Sequence, residues 1–348
     1  MSSHDETRRA MTSRSFNEPT QDSPAATVSS SGTTSPASRQ PNAEETIMAR
    51  ASWYYYIEGL TQNDIAARLG VHRTRVNRIL AQARTRGIVQ VRINSPVNLA
   101  AERALEKRFG LKQVVLVQTP QTPDQLTASI ANAAGAIVSD RLKSGMTLGV
   151  GWGRTLRLSV QSIERKHIDQ LSVISLLGGL MRGSVMNTYE TASHLADIYN
   201  ADCFYIAAPA FADTEEMANL FKRQSSVGDA LDRARGIDIA LISVGALHAN
   251  STMARLNLID KDEEAALREA GAVGDLCAQW IDIQGRVVDH ELNRRVIALP
   301  VADLDTIPNV VLASGGEEKI PVILGALNRG SIDVLVTDEG TGHRLLKG

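Results

Sequence analysis

One stretch decides the first part of the fold: residues 61–80 read TQNDIAARLGVHRTRVNRIL. Thr61 can cap a helix whose apolar side chains, at Ile65 and Leu69, face the same way. Gly70 permits the left-handed backbone of a sharp turn, and the small Ala66 allows a second helix to pack closely. The second helix has its own apolar positions: Val71, Val76, Ile79 and Leu80. This spacing predicts a helix-turn-helix.

The other face of the second helix is rich in side chains that bind DNA. It carries six polar or basic residues: His72, Arg73, Thr74, Arg75, Asn77 and Arg78. Arginine forms bidentate hydrogen bonds with guanine and asparagine with adenine, whereas Arg75, Arg84 and Arg86 would contact phosphates. His72 departs from the pattern, because serine or threonine would cap this helix more naturally. A surface hairpin with solvated arginines is the alternative, and the distribution of charge favours DNA binding instead.

Charge is distributed unevenly along the chain. The formal net charge is only −2 at pH 7, which by itself argues against a nucleic-acid-binding protein. Residues 44–93 nevertheless contain eight arginines and four acidic residues, so this segment carries +4 and the residues after it about −6. The average therefore hides a small basic module joined to a larger acidic one, as expected of a DNA-binding domain attached to a second domain.

The flanks of the helix-turn-helix complete a predicted DNA-binding domain over residues 44–93. Residues 1–43 are rich in Ser, Thr, Pro and Gln and poor in apolar residues, which predicts a disordered tail. A first helix, at about residues 44–58, is expected to add four side chains to the small core: Ile47, Ala51, Tyr54 and Tyr55. Residues 88–93 alternate like a strand and predict a wing.

A larger domain, residues 113–348, follows a predicted helical linker at residues 94–112. Continuous apolar runs recur through it, at residues 114–117, 146–150, 171–177, 203–208, 237–244, 310–313 and 332–336. Helical patterns lie between them, at residues 124–143, 187–199, 213–222, 262–270 and 318–329. Apolar strands that alternate with helices predict a Rossmann-like α/β domain, with a parallel sheet covered on both faces.

A glycine-rich turn in this domain could hold an anion. Residues 148–156 read LGVGWGRTL, after a predicted strand and at the start of a predicted helix. Gly151 and Gly153 would let the backbone approach a phosphate, and Arg154 and Thr155 would add a charge and a hydroxyl. A tight structural turn would explain the same glycines. Trp152 is unusual in a phosphate turn and could pack beside it.

Several segments together resemble the SorC branch of the SorC/DeoR-type sugar-responsive transcriptional regulators. They are TQNDIAARLGVHRTRVNRIL (61–80), LGVGWGRTL (148–156), SLLGG (175–179), GAVGDL (271–276), WIDIQG (280–285), ASGGEEK (313–319) and IDVLVTDEGT (332–341). The resemblance spans about residues 45–348. It implies an effector domain similar to sugar-phosphate isomerases and deaminases, assembled as a homodimer or homotetramer. It also implies a regulator of a carbohydrate or polyol operon that binds operator DNA and responds to a phosphorylated sugar.

The resemblance also assigns roles to matching residues. Gly151, Gly153, Arg154 and Thr155 resemble the phosphate-binding turn of that family. Gly178 and Gly179 close a second strand end in the same effector site. Asp275 resembles the acidic residue that holds sugar hydroxyls, and Lys319 a basic residue that faces the ligand. A turn or cap role for Asp275 and a solvated position for Lys319 remain open, as do pocket positions for Asn187 and Glu190.

Other functions receive less support from the sequence. The effector domain could be a sugar-phosphate isomerase- or deaminase-like enzyme tethered to a DNA-binding domain, but the sequence has no recognisable catalytic motif, and we expect no enzyme. Two cysteines and scattered histidines predict neither a disulfide framework nor a metal site, and no cofactor is expected. The cysteine count fits a reducing cytoplasm, where we expect the protein. No apolar run approaches the length of a membrane span, so we expect no membrane partner.

Overall fold

The computed structural model describes residues 43–86, 88–89, 98–180, 188–249 and 251–347. The chain divides into two units, of which the first ends at residue 93 and the second begins at residue 94. The predicted disordered tail and most of the predicted wing lie outside the described residues. None of the described helices is long and apolar enough to cross a membrane.

The described part of the first unit contains three helices: α1 (Ala43–Tyr56), α2 (Gln62–Leu69) and α3 (Arg73–Thr85). Thr61 caps α2, because its hydroxyl accepts a hydrogen bond from the Asp64 backbone N–H while the Asp64 carboxylate accepts one from the Thr61 N–H. Gly70 ends α2 in the left-handed conformation, with φ of 65°. The predicted helix-turn-helix is therefore confirmed.

A small apolar core holds these three helices together. Its buried members are Met48, Ala51, Ile65, Ala66, Val76, Ile79, Leu80 and Ala83. The expected contribution of α1 was partly wrong, because Ile47 and Tyr55 are exposed while Met48 is buried. The apolar residues of α1 extend almost all the way round this helix, so their spacing does not define which face packs inward.

The second unit contains the remaining elements. Its helices are α4 (Leu99–Phe109), α5 (Pro123–Arg141), α6 (Arg154–Gln161), α7 (Thr188–Tyr199), α8 (Glu215–Lys222), α9 (Ser225–Arg235), α10 (Thr252–Arg255), α11 (Lys261–Glu269), α12 (Glu291–Arg294), α13 (Ile320–Arg329) and α14 (Glu339–Lys347). Its strands are β1 (Gln113–Val117), β2 (Thr147–Val150), β3 (Ser172–Ser175), β4 (Asp202–Phe204), β5 (Ile239–Ile242), β6 (Val244–Ala246), β7 (Gly274–Leu276), β8 (Gln279–Ile281), β9 (Asn309–Ala313) and β10 (Val334–Asp338).

Seven of these strands form one parallel sheet, in the order β1-β10-β9-β5-β2-β3-β4. Alternate residues of each strand enter two separate apolar clusters. In β5, for example, Ile239 and Leu241 belong to one cluster and Ala240 and Ile242 to the other. The sheet is therefore buried on both faces, as the continuous apolar runs predicted.

Two of the predicted runs differ from the strands observed. The run at 237–244 divides, because β5 stays in the parallel sheet while β6 starts an antiparallel sheet with β7 and β8. The run at 203–208 is a strand only as far as Phe204. Beyond that residue the Ile206 N–H donates to a side chain, the Ser175 hydroxyl, at 3.2 Å instead of to a neighbouring strand.

The helix predicted in the linker, α4, packs on the edge of the parallel sheet. Strand β1 is an edge strand, so alternate N–H groups have no neighbouring strand to bond. The Glu106 carboxylate accepts the Val114 N–H at 3.0 Å, and the Glu102 carboxylate accepts the Leu116 N–H at 2.9 Å. Two glutamates one helical turn apart thus satisfy the open edge and hold α4 in place.

Candidate functional site

The polar face of α3 is available to solvent. All six residues predicted to contact DNA are exposed: His72, Arg73, Thr74, Arg75, Asn77 and Arg78. Between them, Val76 is fully buried and anchors the helix to the small core. Of the further basic residues, Arg86 pairs with Glu44 at 3.2 Å, which ties it to the start of α1. The helix therefore presents a basic, hydrogen-bonding surface from a fixed apolar support.

A depression of about 670 Å³ lies beside the start of α2 and α3. Tyr55, Gly59, Leu60, Thr61, Gln62, Asn63 and Arg73 line it. Arg73 is the charged side chain of this lining, and the N-terminus of α2 is already capped by Thr61 and the Asp64 carboxylate.

In the second unit, the glycine-rich turn follows β2 and begins α6. The Gly151 N–H donates to the Leu241 carbonyl at 2.9 Å, which keeps the turn beside the end of β5. Gly153 is the N-cap of α6 with φ of 117°, and its position has no side-chain cap. The first N–H groups of α6 therefore stay open to an anion, with Thr155 buried behind them. Arg154 is exposed and pairs with Asp124 at 2.8 Å.

Asp275 is a buried carboxylate, with 1% of its surface exposed. It lies in β7 opposite Gly245 of β6, and a Cβ at Gly245 would come within 2.1 Å of Oδ1. Burial raises the pKa of Asp275 to about 7, against the lowering effects of the Ala278 N–H, Lys319 and Trp152. Oδ2 accepts the Ala278 N–H at 3.2 Å, while Oδ1 accepts no hydrogen bond within the usual limits.

Lys319 completes the arrangement from the other side. It ends the short turn Glu317–Lys319 that follows β9, and its backbone N–H donates to the Gly316 carbonyl at 3.0 Å. Burial lowers the pKa of the Lys319 amine, while the charges of Asp275 and Glu318 raise it. Lys319 and Asp275 are neighbours in the site, because the charge of each shifts the pKa of the other. A polar ligand could contact both, with hydroxyls on the carboxylate and an anion at the amine.

Topology explains why these distant residues meet. Strand β5 lies between β2 and β9, so the turns that follow β2 and β9 flank its carboxyl end. Strand β6 continues from that end and carries Gly245, which places Asp275 of β7 there as well. We name the glycine-rich turn, Asp275 and Lys319 the effector site. It lies at the carboxyl end of a parallel sheet, where α/β proteins usually bind ligands.

Two predicted site residues have packing roles that need no ligand. A Cβ at Gly178 would lie 2.4 Å from the Ala208 carbonyl oxygen, and one at Gly179 would lie 2.6 Å from the Tyr189 ring. These glycines therefore allow the backbone of residues 208–209 and the tyrosine to approach β3. Asn187 lies outside the described residues. Glu190 lines a separate open depression of about 400 Å³ with Tyr189 and His194.

Sequence reasoning missed other polar groups around the same sheet end. The Trp280 indole, Ser314 hydroxyl and Thr337 hydroxyl are buried without hydrogen-bond partners. His248 pairs with Glu318 at 3.0 Å, next to Lys319. The sequence contains no local signal for Gly245, because only strand pairing reveals that it lies opposite Asp275. Among the described residues, no group of His, Cys, Asp or Glu could hold a metal ion.

Comparison with known families agrees with both parts of the molecule. The family model "Putative sugar-binding domain" matches residues 96–347, which is most of the chain. A second model, the Crp-like helix-turn-helix domain, matches residues 48–108.

Relatives extend over nearly the whole chain. The transcriptional regulator LsrR of Enterobacter sp. (strain 638) is 32% identical over 311 residues, which cover 87% of this chain and 93% of that protein. The deoxyribonucleoside regulator of Bacillus subtilis (strain 168) is 28% identical over 309 residues, with 87% and 98% covered. The crystal structure of the full-length sorbitol operon regulator SorC from Klebsiella pneumoniae has a TM-score of 0.67 at 25% identity and covers 87% and 99%.

Proposed function

Because the chain belongs to the SorC/DeoR-type family of sugar-binding transcriptional regulators, we propose that a phosphorylated sugar or polyol is its effector. The proposed ligand binds in the effector site and changes the affinity of the first unit for operator DNA. The regulated genes, in this proposal, serve carbohydrate or polyol catabolism in the cytoplasm. Relatives named for deoxyribonucleosides and sorbitol support this class of effector.

The buried Asp275 is the single observation that carries the proposal. An isolated buried carboxylate is costly, and a protein retains one where a ligand or proton compensates it. Sugar hydroxyls donate hydrogen bonds to such a group, and Oδ1 has capacity to accept them. Lys319 and the open N–H groups of α6 supply positive charge and donors for a phosphate. The set therefore fits a ligand with hydroxyls at one end and an anion at the other.

We propose the exposed face of α3 as the part that enters the major groove. His72, Arg73, Thr74, Asn77 and Arg78 would read bases there, while Arg75 would contact a phosphate. Regulators of this type bind paired half-sites, and one helix-turn-helix occupies one half-site. We therefore propose a homodimer or a homotetramer as the active form.

We further propose that the effector domain binds its ligand without turnover. The relatives are transcriptional regulators, and this supports the proposal. Incubation of the purified protein with pentose, hexose and amino-hexose phosphates, followed by chromatography of the sugars, tests it. Isomerised or deaminated product at a rate proportional to protein concentration would favour the tethered-enzyme alternative.

A thermal-shift screen tests the effector class. The full-length protein is melted with pentoses, hexoses and hexitols, each as the free compound and as its terminal phosphate. A ligand present at 100 times its Kd stabilises the folded state by about 2.7 kcal/mol, which raises the Tm by several degrees. We expect that stabilisation from a phosphorylated member, with a smaller effect from its free form.

Matched variants connect such a shift to the effector site. Lys319→Gln should abolish the stabilisation by the phosphorylated compound. Lys143→Gln removes the same charge from an exposed position and should keep it. If no panel member raises the Tm, or if Lys319→Gln responds as the wild type does, the proposed effector or its site is wrong.

A further inference from the structure

The loop that carries Lys319 is fastened to the start of α14. The Gly316 N–H donates to the Thr341 hydroxyl at 2.9 Å and, more weakly, to the Asp338 carboxylate at 3.3 Å. Asp338 is buried and also accepts hydrogen bonds from the Thr341 N–H at 3.1 Å and the Thr119 hydroxyl at 2.9 Å. Farther along the helix, Arg344 pairs with Glu317 at 2.7 Å. These contacts connect the loop to α14.

The opposite side of α14 is fastened to α4. The Asn98 amide lies 3.3 Å from His343 Nε2, and Arg108 Nη1 donates to the Leu346 carbonyl at 2.7 Å. Between these polar contacts the helices approach closely at Gly342. A Cβ there would lie 3.3 Å from the Leu105 side chain and 2.8 Å from that of Leu116. Any displacement of α14 therefore moves against α4 and β1.

Helix α4 is the element through which such a displacement could leave the effector domain. It is the first helix after residue 94, where the second unit begins. Leu105 is fully buried, so α4 does not move independently of what it packs on. Packed helices shift between discrete arrangements, because an interior filled to crystal-like density does not deform continuously.

We infer that α14 couples the effector site to α4, with Thr341 and Asp338 as the residues that position the Lys319 loop. This inference rests on the proposed function, because it names how effector binding at that site is transmitted. A ligand that binds Lys319 shifts the position of the Lys319 loop. The loop then shifts the start of α14, and α14 in turn alters the contacts that hold α4. Coupling between two sites is reciprocal, so a change in the contacts of α4 must also alter the stability of the Lys319 loop.

Hydrogen exchange of the full-length chain tests the α4 side of this coupling without any effector. Arg108→Gln removes the bond to the Leu346 carbonyl, and Lys107→Gln removes the same charge from an exposed neighbour on the same helix. In Arg108→Gln we expect peptides that cover residues 314–319 to exchange about fivefold faster or more. In Lys107→Gln they should exchange as in the wild type.

The loop side is tested by the hydroxyl of Thr341. Thr341→Val keeps the shape of the side chain but leaves the Gly316 N–H without its nearest acceptor, whereas Thr341→Ser keeps that acceptor. We expect faster exchange in α4 in the valine variant and recovery in the serine variant. The effects of Arg108→Gln and Thr341→Val on the loop should also be non-additive in the double variant, as expected of residues in one network.

Loop exchange in Arg108→Gln equal to that in Lys107→Gln would overturn the inference, as would strictly additive effects in the double variant. A melting curve of each variant verifies that it is folded before exchange is compared. Because no sugar is added, these outcomes do not depend on whether a phosphorylated sugar binds. A failed thermal-shift screen with positive exchange results would therefore refute the effector and leave the coupling intact.

Discussion

The DNA-binding face and the effector site are built in opposite ways. The face comes from consecutive turns of one helix, α3, whose six candidate residues are exposed. The effector site comes from three separate parts of the chain, after β2, in β7 and after β9, and its central carboxylate is buried. The exposed side chains of α3 keep their ordinary charges and hydrogen-bonding groups. The charge of the buried Asp275, by contrast, depends on the groups packed around it.

This difference has an energetic side. Among the described residues, the core of the first unit has eight buried members, whereas the sheet of the second unit is buried on two faces by much larger clusters. A small domain has little surplus stability, because less of its surface is buried on folding. We therefore expect DNA binding to be lost most easily when the small core beneath α3 unfolds. We expect ligand binding to be lost most easily when a charge in the effector site changes.

The largest effect expected from this contrast is at Ile65, which is fully buried in the small core. Ile65→Ala should cost about 2–5 kcal/mol, most of what so small a unit possesses. We expect loss of operator binding and of the low-temperature transition in calorimetry, with the transition of the second unit unchanged. Ile57→Ala makes the same change at a residue that is 65% exposed. Equal operator affinity in the two variants would show that the core does not support α3.

The next effect is at Arg73 on the exposed face. Arg73→Ala should weaken binding to an operator duplex about 10- to 100-fold, the range for loss of one bidentate base contact. The Tm should stay unchanged, because the side chain is exposed. Arg103→Ala, on the exposed face of α4, is the matched control and should keep full affinity. Fluorescence anisotropy at two salt concentrations measures both variants, and retention of affinity in Arg73→Ala would remove it from the DNA-binding face.

The third prediction concerns the charge of Asp275, and the sign of its pH dependence distinguishes a buried carboxylate from an exposed one. With its folded pKa raised to about 7, the native state keeps a proton that the unfolded state releases at about pH 4. Stability should therefore fall as pH rises from about 4 to 7, by at most about 4 kcal/mol. Asp275→Asn should remove this slope and be more stable than the wild type at pH 8.

Urea unfolding at several pH values measures that slope. The exposed Asp202 provides the control, since Asp202→Asn should leave the wild-type pH dependence in place. If the wild-type free energy of unfolding is constant from pH 4 to 8, neighbouring groups already stabilise the charged Asp275 carboxylate, and the prediction is wrong. Asp275→Asn should also lose the stabilisation by a phosphorylated sugar, because an amide cannot replace a carboxylate that accepts several hydroxyls.

Much of the architecture could be predicted because it depends on short-range patterns. Thr61, Gly70 and the spacing of Ile65 and Val76 specify a helix-turn-helix locally. Apolar runs specified the strands of the parallel sheet. The exceptions arise where tertiary contacts override the local pattern. The backbone after Phe204 bonds to Ser175 instead of a strand, and the apolar run of β5 continues into a second sheet as β6.

The site was predicted less completely for the same reason. Asp275 and Lys319 were chosen by resemblance, and the structure brings both to the end of β5. Gly245, which makes room for the carboxylate, has no local signal, because its importance lies in a cross-strand pair. Likewise, only the structure shows the close packing of Gly178 and Gly179, and their place in the effector site stays a prediction.

The sequence by itself determined the two-part organisation, the helix-turn-helix and the polar face of α3, because helical periodicity and local charge require only neighbours along the chain. Tertiary structure alone decided that Asp275 is buried opposite Gly245, that two glutamates of α4 satisfy the edge of β1, and that α14 lies between the Lys319 loop and α4. These features depend on desolvation and on contacts between residues far apart in sequence. Such contacts exist only after the sheet has brought their strands together.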